Sequence, residues 1–229
     1  MKTIGLIGGL SWHSTIDYYR IINTEIHNRL GKQHSAKILL SSVNFQDFSD
    51  AWSDPSRQKN SAILCSAAQS LQKGGADFFL MCSNTPHRFV PEVTASVSIP
   101  LISISDAVTK HAKKNGLRKL GLMGTTYTIG GTFYSESSAK QGIEIVVPDQ
   151  ADWPQMHDLI YSELTQGIFT ETTRAIFLNH AKKLVALGAD GIAMACTEIP
   201  ILLAGQDFTV PLLDTTRIHA MAAVDAAFT

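Results

Sequence analysis

The sequence predicts an α/β fold of two similar lobes, each built on a parallel sheet. The first observation is an internal repeat, because a Gly-Ala-Asp triplet opens an apolar run at 75–77 and again at 188–190. Superposing the two triplets places Ser83 on Cys196. The second observation is that short apolar runs alternate with longer helical patterns, which is typical of parallel strands covered by helices on both faces.

Two flanking segments repeat in the same way. Residues 4–8 resemble residues 120–124, and residues 99–102 resemble residues 210–213. A doubled half predicts two lobes related by a pseudo-twofold axis, with Ser83 and Cys196 at equivalent strand ends. One cleft between the lobes, with these two groups facing each other, is the geometry needed to act on both faces of one carbon.

The apolar runs predict eight strands, and the stretches between them predict six helices. Glycines stand where the helices should end, as C-terminal cap residues commonly do. The predicted strands are 3–8, 36–43, 77–82, 100–103, 118–123, 143–147, 190–195 and 210–213. The predicted helices are 14–30, 58–74, 105–115, 131–141, 153–166 and 171–187.

The repeat also predicts the domain organisation, with a crossing of the chain near residue 100. We expect residues 1–99 to form the first lobe and residues 100–209 to form the second. The last segment, 210–229, continues the pattern of the region around Pro100. We therefore expect it to return to the first lobe as a closing strand and helix.

Composition narrows the class of protein. The chain has 229 residues, 45% of them hydrophobic. Its formal net charge of −1 gives no excess of positive charge with which to bind nucleic acid. No apolar stretch reaches the roughly 18 residues that a membrane helix needs. Three cysteines without a secretion signal indicate free thiols in a reducing compartment. We expect a cytoplasmic protein that binds neither nucleic acid nor membrane.

Cys196 is the first candidate for chemistry. It ends an apolar strand and precedes a predicted helix start, so it should face the crevice where α/β folds bind ligands. We expect the helix amides to lower the pKa of this thiol. A buried core cysteine is the alternative, but Thr197 and Glu198 crowd the same strand end, which a purely apolar core would not need.

Ser83 holds the matching position in the first lobe. Ser83 and Asn84 could simply cap the helix that Pro86 begins, but the coincidence with Cys196 favours a functional interpretation. Cys82 should point to the opposite face from Ser83, so we interpret it as a core residue unless a bulge turns it inward. Cys65 lies within a helical run and should serve packing.

Two further strand-end turns carry polar groups. The turn at 8–15 lacks the spacing of a dinucleotide fingerprint or a P-loop, although its amides could hold a carboxylate. The turn at 124–128 supplies three threonine hydroxyls. We expect hydroxyl, amide and carboxyl groups of the strand-end loops to bind the substrate: Ser11, Asn84, Thr85, Thr125, Thr126, Thr128, Thr197 and Glu198.

The histidines predict no metal site, because no His-x-x-x-His helix and no Cys-x-x-Cys pair occurs. His87 and His219 are the two nearest to predicted strand ends. His219 follows Asp214-Thr215-Thr216, which we interpret as helix capping, with the histidine in a structural role.

These motifs together resemble the aspartate/glutamate racemase family over essentially the whole chain. The resemblance is carried, in order, by Gly-Gly-Leu-Ser-Trp at 8–12, Ser-Asn-Thr-Pro-His at 83–87, Gly-Thr-Thr-Tyr-Thr at 124–128, Ala-Cys-Thr-Glu-Ile-Pro at 195–200 and Asp-Thr-Thr-x-Ile-His at 214–219. It implies two similar Rossmann-like lobes with the active site between them. It also implies racemisation of a small, acidic amino acid without pyridoxal phosphate or metal, in a homodimer.

In the family, one cysteine of each lobe acts on one face of the α-carbon. Cys196 matches one of these positions. Where the common pattern has Cys-Asn-Thr, this chain has Ser83-Asn84-Thr85, and a similar threonine substitution occurs in a branch that prefers the L-amino acid. The Arg and Lys with which some members hold a distal carboxylate have no counterpart in 44–49 and 161–166. These departures weaken the expectation of two-thiol exchange and of an acidic substrate.

The leading hypothesis is therefore a cofactor-independent racemase or epimerase, with Cys196 as the main acid/base and Ser83 opposite. One alternative is a single-cysteine decarboxylase or cis–trans isomerase of the same superfamily. Another is a homologue that binds an amino acid without catalysis.

Overall fold

A computed structural model describes residues 1–54 and 56–229. The contacts divide the chain into two compact units. The first unit comprises Met1–Ile104 together with His219–Thr229, and the second comprises Ser105–Ile218. Among the described residues, no helix is both long enough and apolar enough to span a bilayer.

The first unit contains a parallel sheet in which β1 lies between β2 and β3. Short 3-10 turns cover Ala51–Ser53 and Thr85–Phe89. The strands are β1 (Ile4–Gly8), β2 (Ile38–Ser42) and β3 (Phe78–Met81), and the helices that begin within this part of the chain are α1 (Trp12–Leu30), α2 (Phe45–Asp50), α3 (Gln58–Lys73), α4 (Val90–Ala95) and α5 (Ile104–Lys114).

Strand alternation divides the core of this unit into two faces. Ile4 and Leu6 belong to a cluster with Cys82, whereas Ile7 and Met81 pack in a separate cluster on the other side. Because successive side chains of a strand point to opposite faces, the position of Cys82 follows directly from the register. Cys82 is a fully buried core residue, as its place in the strand predicted.

The second unit contains a parallel sheet with the strand order β5-β4-β6-β7. Its core joins the two central strands to α8 and α9 through residues such as Met123, Ile160, Phe177 and Ile192. The strands are β4 (Lys119–Gly124), β5 (Glu144–Val146), β6 (Gly191–Ala195) and β7 (Leu212–Asp214), and the helices that begin within this part of the chain are α6 (Thr126–Ile129), α7 (Phe133–Gln141), α8 (Trp153–Ser162), α9 (Glu171–Ala186), α10 (Ile199–Leu202) and α11 (Thr215–Ala227).

The internal repeat of the sequence forms the same structural motif in both units. Gly75 and Gly188 both adopt positive φ, at 90° and 92°. Asp77 then accepts a hydrogen bond from the Thr3 amide at the start of β1 (2.6 Å). Asp190 accepts hydrogen bonds from the amides of Arg118 and Lys119 at the start of β4 (2.8 and 3.0 Å). Each Gly-Ala-Asp triplet thus ties the beginnings of two neighbouring strands together.

The unit boundary differs from the predicted one at both crossings of the chain. Pro100–Ile102 bonds to Phe79 of β3 through a single bridge rather than a strand, and so belongs to the first unit. The segment predicted to return whole, 210–229, is divided. β7 pairs with β6 (Ile192 with Leu212), whereas Ala220 and Val224 of α11 pack in the core of the first unit.

The repeated segments 99–102 and 210–213 are each followed by a helix, and these two helices are exchanged between the units. From Ser105 onward, α5 lies in the second unit, where the Thr109 hydroxyl lies 2.9 Å from that of Ser137 on α7. The equivalent helix α11 contributes to the first unit from His219 onward. α5 therefore follows the last paired segment of the first unit but belongs mostly to the second unit. Most of α11 follows the last strand of the second unit but belongs to the first.

Candidate active site

Cys196 immediately follows β6, and its side chain is buried. Its Sγ donates a hydrogen bond to Oε2 of Glu198 (3.0 Å). The Thr197 hydroxyl donates to the same carboxylate oxygen (2.7 Å). These three residues form one hydrogen-bonded group, in which the carboxylate can accept the proton of the thiol.

The electrostatics of Cys196 contradict the predicted direction. Burial raises the pKa of the Cys196 thiol well above its usual value, and the charge and hydrogen bond of Glu198 raise it further. The backbone amides of Thr197 and Glu198 lower it, but by less. The helix that follows has only four residues and begins at Ile199, so its dipole is weak. Cys196 is therefore a thiol at rest, and needs an acceptor for its proton.

The neighbouring strand end carries Thr125. Gly124 pairs with Ala195 in register, so Thr125 and Cys196 leave adjacent strands at the same level. A Cβ at Gly124 would lie 2.8 Å from the Ala195 carbonyl oxygen, which explains the glycine. The Thr125 side chain caps α6 by accepting from the Thr128 amide (3.3 Å).

Three aromatic rings lie beside these strand ends, and we call Tyr127, His157 and Tyr161 the aromatic trio. The His157 ring packs edge-on against Tyr127, at 5.2 Å between centroids, and at a tilt of 43° against Tyr161, at 4.7 Å between centroids. The Thr126 hydroxyl lies 3.2 Å from Nδ1 of His157. Tyr161 also packs against the apolar cluster that contains Cys196.

Glu198 contributes negative charge beside the trio. Burial raises the pKa of Tyr161, and negative charge on Cys196, Tyr127 or Glu198 raises it further. Burial lowers the pKa of His157, so its imidazole is neutral near pH 7.

In the first unit, Ser83 follows β3 by two residues and its side chain is half-buried. The Ser83 amide donates to the Met81 carbonyl (2.8 Å), which turns the chain at the strand end. Asn84 is buried, and Thr85 begins the 3-10 turn that Pro86 continues.

A pair of buried histidines holds the Ser83 turn. The Ile104 amide donates to Nε2 of His87 (3.0 Å), so Nδ1 of His87 carries the proton and donates to the Ser83 carbonyl (3.0 Å). Nε2 of His219 donates to the Ile102 carbonyl (2.8 Å), so its Nδ1 accepts from the Tyr18 hydroxyl (2.7 Å). His219 therefore has the structural role expected for it.

Both histidines are neutral. Burial, with a smaller contribution from His219, lowers the pKa of His87 to about 3. Burial lowers the pKa of His219 to about 4, against a smaller opposing effect of its hydrogen bond to Ile102.

The turn after β1 is held by a threonine. The Gly9 amide donates to the Thr15 hydroxyl (2.8 Å), which donates to the Ser11 carbonyl (3.1 Å). Gly9 has a φ of +81°, and a Cβ there would meet the Val43 carbonyl oxygen at 2.0 Å. Only glycine fits this position, and Ser11 is thereby fixed at the start of α1.

The family model of Asp/Glu/Hydantoin racemases matches residues 7–223. The chain belongs to this racemase family. Over the full length of both chains, it is similar to a candidate Asp/Glu racemase from Yersinia pestis (43% identity, TM-score 0.92). An aspartate racemase homologue from Pyrococcus horikoshii also matches over both full lengths (30% identity, TM-score 0.83). The broad specificity amino-acid racemase RacX of Bacillus subtilis is 24% identical over 70% of this chain and 69% of its own.

The predicted site residues of this Asp/Glu/Hydantoin racemase family member lie at strand ends within their own units. In the second unit, Cys196, Thr197 and Glu198 form one bonded group beside Thr125 and Thr126. Thr128 is fully buried and serves the cap of α6. In the first unit, Ser83, Asn84 and Thr85 follow β3 and Ser11 follows the neighbouring β1.

Sequence reasoning missed two members of the aromatic trio in this racemase-family chain. His157 and Tyr161 are four residues apart on α8, a spacing that puts both on one helix face. That spacing is the signal in the sequence that could have identified the pair.

Within residues 1–54 and 56–229, no three His, Cys, Asp or Glu side chains are grouped so that they could hold a metal ion.

Proposed function

We propose that this protein racemises or epimerises a small amino acid by removing the α-proton and returning it to the opposite face. The family match assigns the chain to the racemase family. The observation that carries the mechanism is the hydrogen bond from Cys196 Sγ to Glu198. It supplies an acceptor beside a thiol whose pKa burial has raised.

In this mechanism, Glu198 takes the thiol proton and the Cys196 thiolate removes the α-proton. The electron pair of the broken C–H bond moves into the substrate carboxylate, which becomes enolate-like. Hydroxyl and amide groups of Asn84, Thr85 and Thr125 stabilise that charge. The second face then receives a proton and Glu198 releases the thiol proton to solvent, so that no net atoms are gained or lost.

Ser83 is the proposed partner on that second face. A serine hydroxyl is a weak acid, and catalytic acids and bases work best when their pKa lies near the ambient pH. Ser83 therefore delivers the proton itself or through a water that it orients, and regains it from solvent. His87 supports this role by fixing the Ser83 carbonyl.

The chemistry of the proposal needs neither pyridoxal phosphate nor a metal. An acidic substrate is what the family resemblance implies, and RacX carries the description of a broad-specificity amino-acid racemase. We also propose that the protein is a homodimer located in the cytoplasm.

An amino-acid panel in deuterium oxide tests the function, with α-proton loss followed by NMR and the enantiomers separated by chiral chromatography. Cys196→Ala should lower α-deuterium exchange to background, about 100-fold or more, because a positioned acid/base contributes about 10²–10⁴-fold. Cys65→Ala, a half-exposed helical cysteine, is the matched control and should keep the wild-type rate.

A Cys196→Ala variant with near wild-type exchange would refute the assigned role. Release of carbon dioxide or isomerisation of an alkene diacid, seen in the same NMR spectra, would instead favour the decarboxylase or isomerase alternative. Tight binding without exchange would favour a binding homologue.

A further inference from the structure

We propose that the aromatic trio of Tyr127, His157 and Tyr161 contacts the substrate side chain and selects an uncharged side chain over an acidic one. This inference rests on the proposed function, because it assigns the substrate class of the same site. It departs from the acidic substrate that the family resemblance implies.

The first step is the position of the trio. Tyr127 belongs to the turn after β4, and His157 and Tyr161 lie on the α8 face that packs towards that turn. β4 and β6 are neighbours, with Gly124 opposite Ala195, so the turn leaves the sheet beside Cys196. A substrate whose α-carbon reaches the Cys196 thiol therefore has these rings within reach of its side chain.

The second step is accessibility. All three rings are half-buried, so each is packed on one side and open on another. His157 is held by Thr126 and sits between the two tyrosines, which makes the trio one continuous surface. Aromatic surfaces of this kind favour apolar and aromatic groups, with ring centroids 4.5–7 Å apart.

The third step is charge. Glu198 is a carboxylate next to this surface, close enough for its charge to raise the pKa of Tyr161. The His157 imidazole is neutral, because burial lowers its pKa. A second carboxylate placed against these rings would lose water and be repelled by Glu198. An amide, aliphatic or aromatic side chain incurs neither cost.

Matched substrate pairs test the proposal, since Gln and Glu, like Asn and Asp, have nearly the same size and shape but differ in side-chain charge. We expect α-deuterium exchange of the amides to exceed that of the acids at least about tenfold, which corresponds to about 1.4 kcal/mol. Tyr161→Lys, which brings a cation to the trio, should shift the ratio towards the acids by about tenfold or more. Tyr161→Phe keeps the ring and should keep the amide preference. Tyr19→Phe, on the exposed face of α1, should leave all rates unchanged.

Calorimetric titration of Cys196→Ala with Gln and with Glu makes the outcome independent of turnover. Tighter binding of Gln supports the proposal, whereas tighter binding of Glu, or of neither, overturns it. Faster exchange of Glu than of Gln in the wild type also overturns it and leaves the racemase function standing. Exchange of no amino acid by the wild type would overturn the proposed function, while the titration still decides the substrate class.

Discussion

Cys196 illustrates what a single position in the sequence can and cannot predict. Its place at the end of an apolar run was sufficient to predict a strand-end cysteine next to polar groups. The direction of its pKa shift was not, because it depends first on how deeply the thiol is buried and then on whether Glu198 turns its carboxylate towards the thiol or away. Side-chain rotamers of this kind are set by packing, which no local pattern encodes.

The role of Glu198 can be separated from that of a simple hydrogen-bond partner. Glu198→Gln removes the proton acceptor, so α-exchange should fall by about 100-fold or more. It also removes the negative charge that raises the pKa of Cys196, so alkylation of this thiol should begin at lower pH. Mass spectrometry after iodoacetamide treatment across a pH series measures that shift.

Glu136→Gln, on an exposed face of α7, is the matched control for both readouts. An unchanged alkylation profile in Glu198→Gln would contradict the assigned electrostatics. An unchanged exchange rate would contradict the assigned proton transfer.

Ser83 makes a prediction about rates rather than end points. If Ser83 serves one face and Cys196 the other, deuterium should enter the enantiomer whose hydrogen faces Cys196 faster, because the Cys196 thiol has a carboxylate beside it to take its proton and a serine hydroxyl is a far weaker acid than a thiol. Ser83→Cys should accelerate the slow enantiomer. Measuring wash-in for each enantiomer separately checks this, and equal wild-type rates would remove the basis for the asymmetry.

At the scale of elements, the sequence predicted which segments form strands, but not which neighbours each segment would pair or pack with. The apolar runs predicted all seven strands that the described residues contain. The eighth run, 100–103, makes only one bridge because it leaves the sheet after Ile102. The closing segment was predicted as one piece because its sequence is continuous, yet β7 pairs with β6 of the second unit and α11 packs in the core of the first unit.

The two Asp residues of the repeat should differ in their contribution to stability. Asp190 accepts from two amides with its two oxygens, and Asn can replace only one of these acceptors. Asp190→Asn should therefore lower the free energy of unfolding by about 1–2 kcal/mol. Asp77 accepts from one amide, so Asp77→Asn should cost less. Urea unfolding measures both, and a larger loss for Asp77→Asn would contradict this account.

At the scale of the molecule, the buried histidines predict sensitivity to acid. His87 and His219 stay neutral when folded down to pH about 3 and about 4, whereas in the unfolded chain they bind protons below about pH 6.5. Unfolding therefore becomes easier as pH falls from about 6.5 to about 4. Each histidine contributes up to about 1.4 kcal/mol per pH unit in that window.

Urea midpoints between pH 7 and pH 4.5 measure this dependence. His87→Gln removes one of the two groups and should flatten the pH slope, whatever it does to stability at pH 7. His34→Gln, which changes an exposed histidine, should leave the slope unchanged. The same slope in wild type and His87→Gln would show that other groups govern acid stability.

The exchanged helices have a consequence for how the chain arose and how it folds. Two copies of one lobe that trade their last helix are what results when the chains of a domain-swapped dimer are joined end to end. The N-terminal half of the chain then lacks the α11 side chains of its core, Ala220 and Val224, and the C-terminal half lacks α5, whose Val108 is buried. Severing the loop near Gly116 would leave each fragment holding the helix that the other needs, so the two fragments should fold only when expressed together.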